Sequence, residues 1–243
     1  MKALRLKIFQ PTACYKMPMH HKTIVTYPLP PYSTVKGVIH SMIDAKEFTP
    51  MLISIQGEYQ AKGWNYQKMS FHYNGRETYY EINSKGEETR SAKQDKTMPI
   101  NVPFLHNVNL IIHVHAEEWT MKDIHDKLVN CDKTPWLGRR EDLALLEAMD
   151  WVDLALKERG KYKLPLNTYI PRHSINTSMK DIGALYDLNW KYEIRKIPKT
   201  QRKNRVWETI TTYYCEKNWR PPPPFYYDGE YPVFFQKNSL EEV

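Results

Sequence analysis

The order of elements readable in this sequence predicts an α+β fold. It is a ferredoxin-like (RRM-like) βαββαβ unit with an inserted β-hairpin, followed by a smaller β-rich C-terminal region. Three observations predict it. Apolar–polar alternation recurs at 3–9, 51–59 and 108–114. An apolar stripe at helical spacing lies between the first two of these runs. A second helical pattern follows the third run. The unit is placed at 1–160, its inserted hairpin at about 63–102, and the β-rich region at 161–243.

In the first strand Leu4, Leu6 and Ile8 face one way and Arg5, Lys7 and Phe9 the other; Pro11 is expected to end it. The loop beyond mixes basic and aromatic residues, with Tyr15, Lys16, His20, His21 and Lys22. Such a loop suits RNA contact and equally suits plain solvation.

The chain is organised around Tyr27–Ala45, YPLPPYSTVKGVIHSMIDA. Pro28, Pro30 and Pro31 hold the backbone extended. Ser33 or Thr34 is placed to cap a helix. Val35, Val38, Ile39, Met42 and Ile43 then form one apolar face. Free N–H groups, two hydroxyls and the Lys36 ammonium gather at the positive end of a helix dipole, a place for a phosphate. Gly37 costs the helix about 1 kcal/mol against Ala; close approach of a backbone or a ligand would explain it. The same residues also make an ordinary capped helix with a surface lysine.

Met51, Ile53, Ile55 and Tyr59 alternate with polar residues in the second strand. A strand at 66–73, the Asn74-Gly75 turn and a returning strand at 76–83 make the projecting hairpin. Residues 84–98 are too polar to build a core. Val108, Leu110, Ile112 and Val114 form the third strand of the unit. Thr120 is placed to cap a helix with Met121, Ile124 and Leu128 inward. Leu143–Leu154 fits helix by its Ala, Leu and Glu content and strand by its MDWVDL end. GKYKLPLNTYIP marks a boundary. An alternating strand then follows at 190–195 and a strand rich in β-branched and aromatic residues at 206–215, joined by the basic run KIPKTQRKNR. The C-terminal tail is expected to fray.

Composition narrows the function. The chain has 243 residues, a net charge of +7, and 17 Tyr and 7 Trp. A basic excess with many stacking rings favours single-stranded nucleic acid as partner. No apolar run approaches membrane-spanning length, and the charged start is no signal peptide, so a cytoplasmic protein is expected. Cys14, Cys131 and Cys215 form no CxxC pair and no zinc spacing, which implies free thiols. His113 and His115 share a strand face without an evident third ligand. Neither a metal nor a cofactor is expected.

Two motifs with the N-terminal LRLKIFQPTACYKMP carry a resemblance: TYPLPPYSTVKGVI and, at 136–143, WLGRREDL. Together they resemble the CRISPR-associated RAMP proteins of Cas family five, from a type I system. The resemblance runs from the first strand to about Leu154 and continues more weakly through KLPLNTYIP. It implies a subunit of Cascade, the crRNA-guided surveillance ribonucleoprotein complex of antiviral defence. Such a subunit has a ferredoxin-like domain with a hairpin thumb. It caps the five-prime handle of the crRNA and contacts the first backbone subunit and the large subunit. Whether the hairpin also touches target DNA is left open by the sequence.

A handle is single-stranded RNA held in a bent shape, and it needs phosphate donors and stacking faces. Ser33, Thr34 and Lys36 are the first donors. Gly138 lets backbone come close while Arg139 and Arg140 grip phosphate with their forks. Tyr15, Tyr27 and Trp136 are stacking candidates, and Gly37 and Leu137 complete the expected RNA-binding set. Lys36 and Arg139 are expected to face one groove. Against this, Tyr27 and Trp136 suit core packing too, and Glu141-Asp142 could pair with the arginines in a structural turn.

Metal-independent RNA cleavage needs a base and an acid, and His20, His21, Lys22 and Tyr27 are chemically adequate. One branch of the family cuts crRNA precursors with a Tyr, Lys and His set, but no arrangement here maps onto it. Related endonucleases carry a glycine-rich loop near the C-terminus; here the nine glycines are scattered. A non-catalytic subunit is expected. The alternatives are a crRNA-processing endoribonuclease and an unrelated basic RNA-binding domain.

Overall fold

The computed structural model describes residues 1–18, 23–71, 78–82, 88–92, 96–131, 134–175, 182–196 and 203–242. The chain begins with β1 (Lys2–Ala13), the short β2 (Tyr15–Lys16) and β3 (Thr26–Tyr27), and α1 (Tyr32–Met42). The long hairpin region holds β4 (Leu52–Phe71), β5 (Thr78–Ile82), β6 (Glu88–Ala92) and β7 (Lys96–His115). Then come α2 (Glu118–Val129), β8 (Leu145–Asp153), β9 (Ala155–Lys157) and β10 (Asn167–Pro171). The C-terminal part adds β11 (Ala184–Lys196), β12 (Lys203–Cys215), β13 (Phe225–Tyr227) and β14 (Pro232–Val233).

Seven strands form one sheet in the order β11-β12-β10-β4-β7-β1-β8. Every pairing in it is antiparallel. The C-terminal strands therefore extend the N-terminal sheet across the boundary expected near Gly160, through the pairing of Thr168 with Gln56. Leu143–Leu154 resolves as the edge strand β8.

Three boundaries differ from the sequence reading. β1 runs on through Pro11 to Ala13. Its pairing with β8 ends at Phe9, so Pro11 sits where the strand has become an edge, and an edge tolerates a missing N–H. β4 is one continuous 20-residue strand that includes the 66–71 segment. Its ladder with β7 keeps one register from Leu52↔His115 to Phe71↔Lys96, so the projection prolongs the central pair and 66–71 pairs with 96–101, not with the returning strand expected at 76–83. The polar stretch after Ser84 also contributes a strand, since β5 pairs with β6 from Thr78↔Ala92 to Ile82↔Glu88. The Asn74-Gly75 turn and most of the KIPKTQRKNR tip lie outside the described residues.

Both helices are capped differently than expected. The N-cap of α1 is Pro31, and neither Ser33 nor Thr34 makes a capping bond. Proline already holds the extended dihedral an N-cap needs, and its carbonyl accepts from Thr34 N at 2.9 Å. The N-cap of α2 is Glu117, with Thr120 buried inside the helix. The predicted faces hold: Val35, Ile39, Met121 and Ile124 are buried in the main core with Leu4, Leu6, Ile53, Ile55, Leu110 and Ile112 of the sheet.

The opposite sheet face is covered by the C-terminal segment. Phe234 N donates to Ser54 Oγ at 3.0 Å, Gln56 Nε2 to the Pro232 carbonyl at 3.0 Å, and Gln236 Nε2 to the Met51 carbonyl at 2.8 Å. Arg5, His113 and Ser54 form one cross-strand row. Asp228 closes over it, 2.9 Å from His113 Nε2 and 3.2 Å from Arg5 Nη1. Ser54, Gln56 and His113 are thus interior and Arg5 is half-buried, while Lys7 on the same face stays exposed; the C-terminal segment is docked as far as Gln236, which is fully buried.

Candidate nucleic-acid interface

The first two turns of α1 sit among three hollows. The first, of about 180 Å³, is lined by Ser33, Thr34, Gly37, Val38, Ser41, Met42, Pro135, Trp136 and Gly138. The second, of about 380 Å³, is lined by Lys16, Met17, Pro18, Tyr27, Pro31, Ser33, Thr34 and Asn189. The third, of about 560 Å³, includes Ser33, Lys36, Gly37 and residues of the β11–β12 hairpin. Ser33 borders all three, so they form one trough wrapped around the helix start. A Cβ on Gly37 would meet nothing within 4 Å. No packing demand explains that glycine; what it leaves is open backbone at the centre of the trough.

The helix start at the centre of the trough has the polarity of an anion site. The first turn of α1 carries no acidic residue, so the helix dipole is uncompensated there. Lys16 is exposed at one end. Trp136, 41% exposed, lies at the other.

The 136–143 loop is held from below. Leu137 N donates to the Asp142 carbonyl at 3.0 Å and Asp142 N to the Arg139 carbonyl at 3.0 Å. Gly138 has φ +116, and a Cβ there would stand 2.9 Å from Asp142 Oδ2 and 3.2 Å from the Cys14 carbonyl. Only glycine suits that position. Buried Gln10 donates to the Leu137 carbonyl at 2.9 Å and accepts from Tyr15 Oη at 2.6 Å. The end of β1 therefore fixes the loop that presents Trp136 and Gly138 to the trough.

Several expected contacts are placed elsewhere. Lys36 is only 7% exposed. Its Nζ donates to the Trp190 carbonyl at 2.6 Å and lies 4.5 Å above the Trp190 ring and 4.8 Å above that of Phe48. Burial, reinforced by the nearby charge of Lys191, pulls its pKa down to about 8. Arg139 is held by Asp142 at 2.7 Å and Glu141 at 3.1 Å, and stacks 4.3 Å above Phe104. The structural-turn alternative describes it. Lys36 lines the third hollow and Arg139 lines neither that nor the first, so these two cations do not converge on one groove. The reason in each case is a stronger internal partner: a carbonyl and two rings for Lys36, a buried carboxylate for Arg139.

Tyr15 and Leu137 are 2% exposed and belong to the core. Tyr27 is buried edge-on to Tyr186 at 5.7 Å, though it still borders the second hollow. Burial pushes its phenol up, away from use as a base near neutrality. Arg140 is exposed. His20, His21 and Lys22 lie outside the described residues. The sequence reading missed Gln10 and Phe104 as supports of the loop. It also missed the C-terminal wall of the third hollow, whose basic and aromatic alternation at 190–195 was legible but unassigned. Among the described residues no cluster of three or more potential metal ligands occurs.

A family model for CRISPR-associated protein (Cas_Cas5) matches residues 3–212. The chain belongs to this family. The match spans both the α1 trough and the Trp136–Leu143 loop. No curated protein matches the chain. Among solved structures, the chain is similar in fold to a chain of a CRISPR RNA-guided surveillance complex, with a TM-score of 0.54 at 13% identity over 90% of this chain and 91% of that one. A CRISPR protein from Archaeoglobus fulgidus matches with a TM-score of 0.44 at 11% identity, over 96% and 98% of the two chains. A chain of a Type III-B Cmr-beta structure bound to cognate target RNA and AMPPnP matches with a TM-score of 0.44 at 12% identity, over 91% and 86%. Among the described residues no helix is long and apolar enough to cross a membrane.

Proposed function

We propose that this Cas5-family protein is a non-catalytic RNA-binding subunit of a type I CRISPR Cascade complex, and that the trough around α1 takes the five-prime handle of the crRNA. In this reading β1, α1, β4, β7, α2 and β8 are the ferredoxin-like unit. The prolonged β4–β7 hairpin is its thumb, within reach of backbone and large subunits and of target DNA. The observation that carries the proposal is the meeting of three hollows over Ser33, Thr34 and Gly37. There a helix N-terminus, an open glycine backbone, Lys16 and Trp136 border one continuous surface. Phosphate on helix N–H groups and bases on exposed rings are what a folded single strand needs. Arg140 is exposed on the loop that carries Trp136 and Gly138.

The test is binding of a repeat-derived handle RNA against a scrambled single strand of equal length, by fluorescence anisotropy. Ser33→Glu places a like charge at the shared border and lowers handle affinity at least about 10-fold. Lys16→Ala flattens the log–log salt slope by about 0.7. Equal affinity for both RNAs, unaltered by either substitution, would overturn the proposal.

A further inference from the structure

The third hollow is walled differently from the other two. One side is α1 and the loop after it, with Lys36, Lys46 and Phe48; the other is the β11–β12 hairpin, with Lys191, Tyr192, Arg205 and Trp207. Tyr192 and Trp207 are paired across the two strands, with ring centroids 5.1 Å apart. They remain 40% and 36% exposed, unusual for a packed aromatic pair. The Arg205 guanidinium lies 4.6 Å above the Tyr192 ring, and Lys191 Nζ lies 4.3 Å above Phe48. Lys46 is exposed on the opposite rim. Of the acidic neighbours, Glu208 pairs with Lys237 at 2.6 Å and Glu193 with Arg195 at 2.9 Å, while exposed Glu47 lines the hollow beside Lys46, so the cationic side is the β11–β12 wall with Lys191 and Arg205.

We infer that this pocket seats one nucleotide of a single-stranded nucleic acid, its base against the Trp207–Tyr192 pair and its phosphate toward Lys46 and Arg205. The inference rests on the RNA-binding reading above and adds the path of the strand, which crosses Ser33 and the bare backbone of Gly37 from one hollow into the next. The volume of about 560 Å³ lies within the usual range for small-ligand sites. A flat π face beside forked and point cations suits a base next to a phosphate and is tolerant of base identity, because every base offers a π face. An acidic peptide would use the cations and leave the two open rings without a purpose.

The experiment uses the full chain and a short single-stranded RNA labelled at one end. Trp207→Ala weakens binding about 10-fold or more, and Trp207→Phe restores most of it, since stacking needs a ring and not an indole N–H. Lys46→Ala leaves the fold untouched, being exposed, and flattens the salt slope by about 0.7. If Ser33→Glu weakens binding while Trp207→Ala and Lys46→Ala do not, the pocket is overturned and the handle-binding reading survives. If the wild-type chain binds no RNA, both fail together. A Trp207→Ala loss that Trp207→Phe does not rescue, with unfolding by circular dichroism, assigns the ring to stability and also overturns the pocket unless Lys46→Ala shows the slope change.

Discussion

Replacing Asp142 by asparagine tests how the Trp136–Gly138 loop is held. The carboxylate is fully buried and accepts four bonds: from Cys14 N at 3.0 Å, Arg139 N at 2.8 Å, Arg139 Nε at 3.1 Å and Arg139 Nη2 at 2.7 Å. Asparagine keeps the shape but turns one acceptor into a donor among donors. It also removes the charge that Arg139 faces. Breaking a buried ion pair costs about 3–5 kcal/mol. The Arg139 side chain is 20% exposed, so the lower end applies, about 3 kcal/mol. The assay is urea unfolding of Asp142→Asn, Arg139→Met and the double variant. The cycle should return a coupling of about 2 kcal/mol. The reasoning is refuted if the coupling is under about 0.5 kcal/mol while Arg139→Met leaves stability unchanged and flattens the salt dependence of RNA binding. Arg139 would then be a phosphate ligand rather than a strut.

Other outcomes follow from the same geometry. Gly138→Ala meets a positive φ and the Asp142 carboxylate together, and should lower stability by about 1–3 kcal/mol in thermal unfolding. Lys36 carries a pKa lowered from 10.5 to about 8. The unfolded chain therefore binds more protons between those values, and the wild type gains stability as pH rises through that window. Relative to Lys36→Met the gain is about 1–2 kcal/mol after discounting for solvent, measured as the difference in unfolding free energy at about pH 7 and about pH 10. A flat difference would place the ammonium in water. The purified protein should leave a repeat RNA intact in EDTA; cleavage lost in His20→Ala or His21→Ala would make it an endoribonuclease.

The sequence displayed the parts of this fold whose signal is local. α1 and α2 show their apolar stripes, and β1, β4 and β7 show alternation where one face meets the helices. The pairing expected about Asn74-Gly75 is not the one found: 66–71 pairs with 96–101 and 78–82 with 88–92, contacts a two-residue turn signal does not encode. The opposite sheet face was illegible for a physical reason. Arg5, Ser54, Gln56 and His113 are polar, so alternation reads them as solvated. They are covered, Arg5 in part and the other three fully, by partners more than a hundred residues away, Asp228 and Gln236 among them. The candidate site divides the same way. Ser33, Thr34, Gly37, Trp136 and Gly138 come together because they lie on a helix start and a tight turn, both locally encoded. Lys36 and Arg139 were assigned by charge, and charge does not say whether a closer partner exists inside the protein. The Trp190 carbonyl and the Asp142 carboxylate are those partners.

The central claim is that a single RNA strand lies across the open start of α1. Photocrosslinking of a thiouridine-substituted handle RNA to the full chain, read by mass spectrometry, addresses it directly. Crosslinks confined to 16–18, 31–37 and 136–140, extending to 192 and 207, are the predicted pattern. Crosslinks confined to the projecting hairpin or to the 228–236 segment, with none at α1, would contradict it.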